Sequence, residues 1–272
     1  MELLVDGHSV FAATGGRPFR ADAPLLLFLH GAGMDHTTWV LQARFFAHHG
    51  HAVLALDLPG HGRSEGPPLA SIEAAADWLL SVIKAAGAGK AAVVGHSMGA
   101  AVALTAAGRS QSPIGKLALL GAATRYAVHP DLLAAARAGS DLAAGLMAFW
   151  GLGTQAQFGG HVAPGLWLTE ATRRLIERGL GMGLAADLEA CRDWQPGDAA
   201  AQIRCPTLVI AGSEDRMTPA KEGRAVASLI AGSEFQMLPG AGHMMMLEQP
   251  DQTVDVLQGF LAKDSGTQRT GA

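Results

Sequence analysis

Three side chains in this sequence have the types and the order for nucleophilic acyl chemistry: Ser97, Asp215 and His243. A serine hydroxyl is a weak nucleophile at neutral pH and needs an adjacent base. An imidazole serves as that base when a buried carboxylate holds its tautomer and stabilises the imidazolium. Ser97 occupies Gly95-His96-Ser97-Met98-Gly99, a G-x-S-x-G turn with an apolar run before it and the helix-forming AAVALTAA after it. Such a turn strains the serine backbone, so positions 95 and 99 have to lack side chains. The helix N-terminus that follows aims free N–H groups at the serine, where negative charge develops in acyl transfer.

The pattern alone is weak, because a chain with 35 glycines produces it by chance about 0.2 times. A second match does occur, at Gly62-Arg63-Ser64-Glu65-Gly66. It is separated from its strand by Leu-Pro-Gly-His and runs into Pro67-Pro68, which cannot continue as a regular helix. Ser64 is therefore a loop residue and Ser97 the nucleophile candidate.

The acid and base candidates follow the last two strand-like runs. Residues 212–219 read GSEDRMTP and residues 239–243 read PGAGH. Asp215 is favoured over Glu214, being four residues before Pro219, which starts the next helix. Among eleven histidines, His243 is favoured because it follows a late strand in a glycine-rich turn. His30, His61 and His96 lie in neighbouring loops, where holding those loops is the expected role.

These positions require a scaffold. Residues 2–5 and 8–13 read as strands joined by Asp6-Gly7, a hairpin signal. Residues 25–29, 52–56, 91–94, 114–120, 207–211 and 234–238 read as further strands, the first of them a continuous apolar run. Helical patterns at 38–49, 72–86, 220–229 and 252–261 alternate with them, which predicts right-handed crossovers and a mostly parallel, doubly wound sheet. All three chemical residues then sit past the carboxyl ends of strands, where open α/β sheets bind ligands. Residues 122–201 lack strand runs, are rich in Ala, Leu and Gly, and contain Phe149, Trp150, Trp167 and Trp194. They are too long for a simple connection and read as short inserted helices. The expected organisation is a core of 1–121 and 202–262, a helical insertion at 122–201, and a frayed tail at 263–272.

Composition narrows the class. The chain has 272 residues, is 49% hydrophobic and only 16% charged, which suits a buried parallel sheet covered by helices. A net charge of −4 without a basic cluster offers no footprint for nucleic acid or an anionic membrane. Cys191 and Cys205 are too few for a disulfide framework and are expected to be reduced. The first sixteen residues lack the pattern of a signal peptide, and no apolar run is long enough to span a bilayer. The expectation is a cytoplasmic protein with a small-molecule substrate, no metal and no cofactor. The sequence leaves a homodimer open.

Five segments together carry a resemblance. HGAGMDHTTW at 30–39, DLPGHGRS at 57–64, GHSMG at 95–99, GSEDRMTP at 212–219 and GAGHMMMLEQP at 240–250 resemble the α/β-hydrolases of the esterase, cofactor-free haloperoxidase and C–C hydrolase kind. The resemblance spans about residues 25–262. It implies an oxyanion hole made by the backbone N–H groups of Ala32 and Met98, and a cap over the site formed by 122–201. Serine at 97 separates the chain from the dehalogenases and epoxide hydrolases of this fold, which carry aspartate there.

Substrate signals lie in the insertion and after the base. Met147, Phe149, Trp150 and Trp167 are candidates for an apolar pocket, and Met244, Met245 and Met246 for thioether contacts to an acyl group. Arg125, just past a strand end, is a candidate receptor for a substrate carboxylate. Four readings remain at this level. The leading one is hydrolysis of small to medium, largely apolar carboxylic esters, lactones or thioesters through an acyl-enzyme. Perhydrolysis and C–C bond cleavage on the same three residues follow, and a ligand receptor without turnover comes last.

Overall fold

Every residue of β3 (Leu25–Leu29), β4 (Ala52–Leu56) and β7 (Thr207–Gly212) is buried, as strands covered on both faces require. With β1 (Glu2–Val5), β2 (His8–Ala13), β5 (Ala91–His96), β6 (Ile114–Leu120) and β8 (Glu234–Leu238) they form an eight-stranded sheet in the order β1-β2-β4-β3-β5-β6-β7-β8. The computed structural model describes residues 1–160, 165–180 and 182–263. Strands β3 to β8 pair in parallel, while β1 and β2 run antiparallel at the edge. Their hairpin turns through Asp6 and Gly7 with φ of 49° and 85°, the left-handed pair that the Asp-Gly signal predicts.

The order reverses between β4 and β5: the chain passes from β3 to β4, then crosses back over β3 to reach β5. Right-handed crossovers on either side of a reversal place their helices on opposite faces. Accordingly α1 (Val40–His48) packs with the C-terminal helix, Pro250–Leu261, whereas α2 (Ile72–Ala85) packs with α3 (Met98–Ala107). All ten residues of α3 are buried, and its alanines allow this close approach to the sheet. The predicted helix at 38–49 is in fact a 3-10 turn at His36–Trp39 followed by α1.

Between β6 and β7 lie α4 (Pro130–Arg137), α5 (Asp141–Gly151), α6 (Thr154–Gln157), α7 (Leu168–Glu177), α8 (Met182–Asp193) and α9 (Ala199–Gln202). No strand interrupts them among the described residues. After β7 come α10 (Ala220–Leu229), β8, a one-turn helix α11 (Met245–Glu248) that the sequence did not announce, and α12 (Pro250–Leu261). Of the predicted tail at 263–272, residues 264–272 lie outside the described residues.

Candidate active site

Ser97 stands between β5 and α3 with φ 52° and ψ −117°, in the region that strains any residue with a Cβ. Its neighbours explain how the turn closes. A Cβ on Gly95 would lie 2.2 Å from Gly99 O, and one on Gly99 would lie 2.6 Å from the carbonyl oxygens of Leu29 and His30. The strain is held by bonds on both sides of the serine. Ser97 N–H donates to Leu120 O at 2.8 Å, and the buried Tyr126 phenol donates to Ser97 O at 2.7 Å. Burial pushes the Tyr126 hydroxyl well above its ordinary pKa, so it remains a donor.

Loops after β7 and β8 converge on an acid–base pair. His243 Nδ1 lies 2.8 Å from Asp215 Oδ2, and both side chains are shielded from solvent. Thr218 completes the carboxylate's shell: its hydroxyl donates to Asp215 Oδ2 at 2.8 Å and lies 3.1 Å from His243 Nδ1. The N–H groups of Met217 and Thr218 donate to Oδ1, each at 2.8 Å. Burial pushes the Asp215 carboxyl up, but His243 and these donors outweigh it and hold the group below its usual range. With an ionised acceptor facing Nδ1, the proton sits on Nδ1 and Nε2 keeps its lone pair. Glu214, the competing carboxylate, turns away and accepts the Thr154 N–H at 2.7 Å.

His243 is also held through its backbone. His243 N–H donates to Gly151 O at the end of α5, at 2.7 Å. Glu248 accepts from Gly153 N at 2.8 Å and from Gly242 N and Met244 N at 3.1 Å. Burial pushes its carboxyl up against these three donors, and the group lies above its usual range. The sequence reading of residues 212–219 weighed only their carboxylates and passed over Thr218. Nothing marked Glu248 or Tyr126, because Glu248 gathers backbone N–H groups from two segments and Tyr126 meets a backbone oxygen 29 residues away.

His30, His61 and His96 hold loops in place, as expected, although His96 itself is not in a loop and ends β5. His30 Nε2 accepts the Leu58 N–H at 3.1 Å, so Nδ1 donates to Gly31 O at 2.8 Å. Burial, helped by His61, takes the His30 imidazole down to about 4. His96 Nε2 donates to His243 O at 3.0 Å, and His61 Nε2 lies 2.9 Å from Asp187 of α8. Asp187 also accepts the Gly33 N–H at 2.9 Å, tying α8 to the loop after β3. Ser64 likewise braces a loop, accepting from Phe11 N and donating to Asp57 O.

One cavity of about 560 Å³ is lined by Ser97, His243, Ala32, Met147, Trp150 and Arg125, among others. Thus residues from the inserted helices and from the core face the same space. The Ala32 and Met98 N–H groups make no loop or side-chain hydrogen bond among the described residues. The Met98 side chain is buried away from this cavity, against Leu58 and His61. Of the predicted pocket residues Met147 and Trp150 line the cavity, whereas Phe149, Trp167, Met244, Met245 and Met246 fall outside its lining. Trp167 is 58% exposed at the start of α7 and lies outside the cavity lining. Met244 is fully buried and also outside it. The turn held by Glu248 aims Met244 inward against Gly151, so it is core. Asp35, His36 and Asp57 bring ligand-type atoms within 4.8 Å of one another. Hydrogen bonds from His36, Thr37, Arg63 and Arg178 already occupy those carboxylates, which makes the cluster a loop brace.

The sheet order, the strained serine between strand and helix, and the acid–base pair past the last strands define an α/β-hydrolase fold. Residues 26–256 match the alpha/beta hydrolase family, and the chain belongs to it. It is similar to (E)-2-((N-methylformamido)methylene)succinate hydrolase of Acinetobacter baylyi, with 25% identity over 243 residues, covering 87% of this chain and 89% of the relative. Among solved structures it resembles the enol-lactonase from Burkholderia xenovorans LB400, with a TM-score of 0.86 and 24% identity over 97% of this chain and 100% of that one. It also resembles a thermophilic esterase, with a TM-score of 0.76 and 31% identity over 96% of each chain.

Proposed function

We propose that the protein hydrolyses carboxylic esters or lactones through an acyl-enzyme, with Ser97 as nucleophile. The observation that carries this reading is the shared cavity: a strained serine and a histidine whose Nδ1 is bound to a buried carboxylate line the same space. His243 Nε2 takes the Ser97 proton as Oγ attacks the carbonyl carbon, and returns it to the leaving oxygen. Asp215 keeps the imidazole in the required tautomer and stabilises the cation that forms. The Ala32 and Met98 N–H groups, the latter at the N-terminus of α3, receive the oxyanion. Water, activated by the same histidine, then releases the acid. Residues 122–201 act as a cap whose apolar side chains Met147 and Trp150 hold the non-reacting part of the substrate. The hydrolase, lactonase and esterase named above support the reaction class.

The test is turnover of p-nitrophenyl acetate, butyrate and octanoate by the wild type, Ser97→Ala and Ser64→Ala. Ser97→Ala should lose several orders of magnitude, while Ser64→Ala, which removes only loop bonds, should keep turnover close to that of the wild type. A wild type inert on all three esters, or a Ser64 variant that is the inactive one, overturns the proposal.

A further inference from the structure

The cavity that holds Ser97 carries an unbalanced set of charges. Arg125, Arg216 and Lys221 line it, and Glu222 is the one carboxylate side chain among its described lining residues. Glu222 is itself engaged, accepting the Thr124 hydroxyl at 3.0 Å. Among the described residues none of the three cations comes within 4.0 Å of a carboxylate, although Arg216 is near enough to Glu214 to help hold that carboxyl below its usual range. Arg216 is placed instead above the Phe149 ring, 5.8 Å from its centroid. All three are exposed, whereas Ser97, His243 and Met147 of the same cavity are buried. The cations therefore stand where the cavity meets solvent, and the nucleophile stands at its closed end, with Met147 and Trp150 along the wall.

Surface arginines and lysines usually find acidic neighbours, and this chain has an excess of acid overall, with a net charge of −4. A local excess of cations around the cavity that holds the serine runs against that balance. Clustered like charges raise one another's energy, and an anionic ligand relieves the repulsion. Two guanidinium groups and an ammonium match a carboxylate, with the planar forks able to bind its two oxygens together.

We propose that the preferred substrate is an ester or lactone whose acyl part bears a carboxylate at its far end, received by Arg125, Arg216 and Lys221. The apolar wall takes the carbon chain between this anion and the scissile carbonyl. The assignment rests on the Ser97 acyl-transfer reading above and names its substrate class. The contacts are remote from the reacting atoms and present in the ground state, so they act mainly on KM.

The experiment compares the mono-p-nitrophenyl ester of adipate with p-nitrophenyl hexanoate, which has the same chain length and no charge. Wild-type kcat/KM should favour the adipate ester by about tenfold or more at low salt, and the preference should shrink as ionic strength screens it. Arg125→Gln, Arg216→Gln and Lys221→Gln should each reduce the ratio of the two kcat/KM values, the arginine changes by about tenfold. A wild type that favours hexanoate, or variants that leave the ratio where it was, overturns the proposal. If neither ester is turned over, the hydrolase reading itself falls. Titration of adipate into wild type and an Arg125→Gln/Arg216→Gln double variant then judges the cation site separately. Binding that weakens in the variant supports it, and equal or absent binding overturns it.

Discussion

Glu248 Oε2 accepts the Gly153 N–H at 2.8 Å, so the carboxylate that braces the His243 turn also holds the segment between α5 and α6. The same group accepts Gly242 N–H and Met244 N–H on either side of the histidine. One buried side chain thereby couples the inserted helices to the base.

Glu248→Gln should expose the value of that coupling. An amide presents one acceptor and one donor to three N–H groups, so at least one of them loses its partner, at a cost of about 1–3 kcal/mol. The expected outcome is a lowered melting temperature together with a kcat reduced by about tenfold or more and a KM that changes little. A lowered melting temperature with unchanged kcat would reduce Glu248 to a purely structural role.

Asp215→Asn should lower turnover by roughly 10⁴-fold, because an amide no longer enforces the tautomer with the proton on Nδ1. Circular dichroism should show the fold intact. Glu214→Gln keeps an acceptor for the Thr154 N–H and should change kcat/KM by less than about threefold. Similar losses in the two variants would mean that the carboxylates had been assigned the wrong way round.

Trp150 and Trp167 now separate. Trp150 lines the cavity, so Trp150→Ala should penalise octanoyl over acetyl esters by about 1–3 kcal/mol in kcat/KM. Trp167→Ala should affect all chain lengths alike, since that ring lies outside the lining. Chain-length profiles of both variants check this, and a selective loss of long esters in the Trp167 variant would contradict it.

His30 makes stability depend on pH. Its imidazole is held near 4 in the folded chain against an ordinary 6.5. The unfolded chain therefore binds the proton first, and the contribution present above pH 6.5 is lost as pH falls toward 4. Between pH 7.5 and 5 the loss amounts to roughly 2 kcal/mol. His61 acts in the opposite sense: burial lowers its pKa, but the Asp187 carboxylate and the Pro59 carbonyl, which accept from the ring, raise it above normal, so its contribution fades as pH rises. Urea unfolding of the wild type and His30→Asn at the two pH values should show a flatter dependence in the variant. Parallel curves would rule out His30 as the source.

Much of this protein was legible in the sequence. Residue patterns and turn signals marked all eight strands within about two residues, most plainly β3 and β4, which are buried on both faces and wholly apolar. The serine turn was legible because its strain leaves so few residue types for positions 95 and 99. Asp215 and His243 were legible from their place after the last strands. The 3-10 turn before α1 and the short helix α11 were not, since local backbone choices at helix ends depend on what the ends pack against.

Other features were decided only by tertiary structure. The sequence offered Trp150, Trp167 and Met244 on equal terms as pocket residues, yet only Trp150 reaches the cavity. Which way an apolar side chain faces within a segment of short helices depends on packing between elements, and periodicity over a few residues does not record it. Glu248, Thr218 and Tyr126 meet Gly153, His243 and Ser97, groups that other segments bring to them. The cations at the cavity mouth show the same thing: Arg125 follows β6, whereas Arg216 and Lys221 follow β7. Parallel neighbouring strands deliver their carboxyl-end loops to one place, and that geometry turns three separate surface charges into one site.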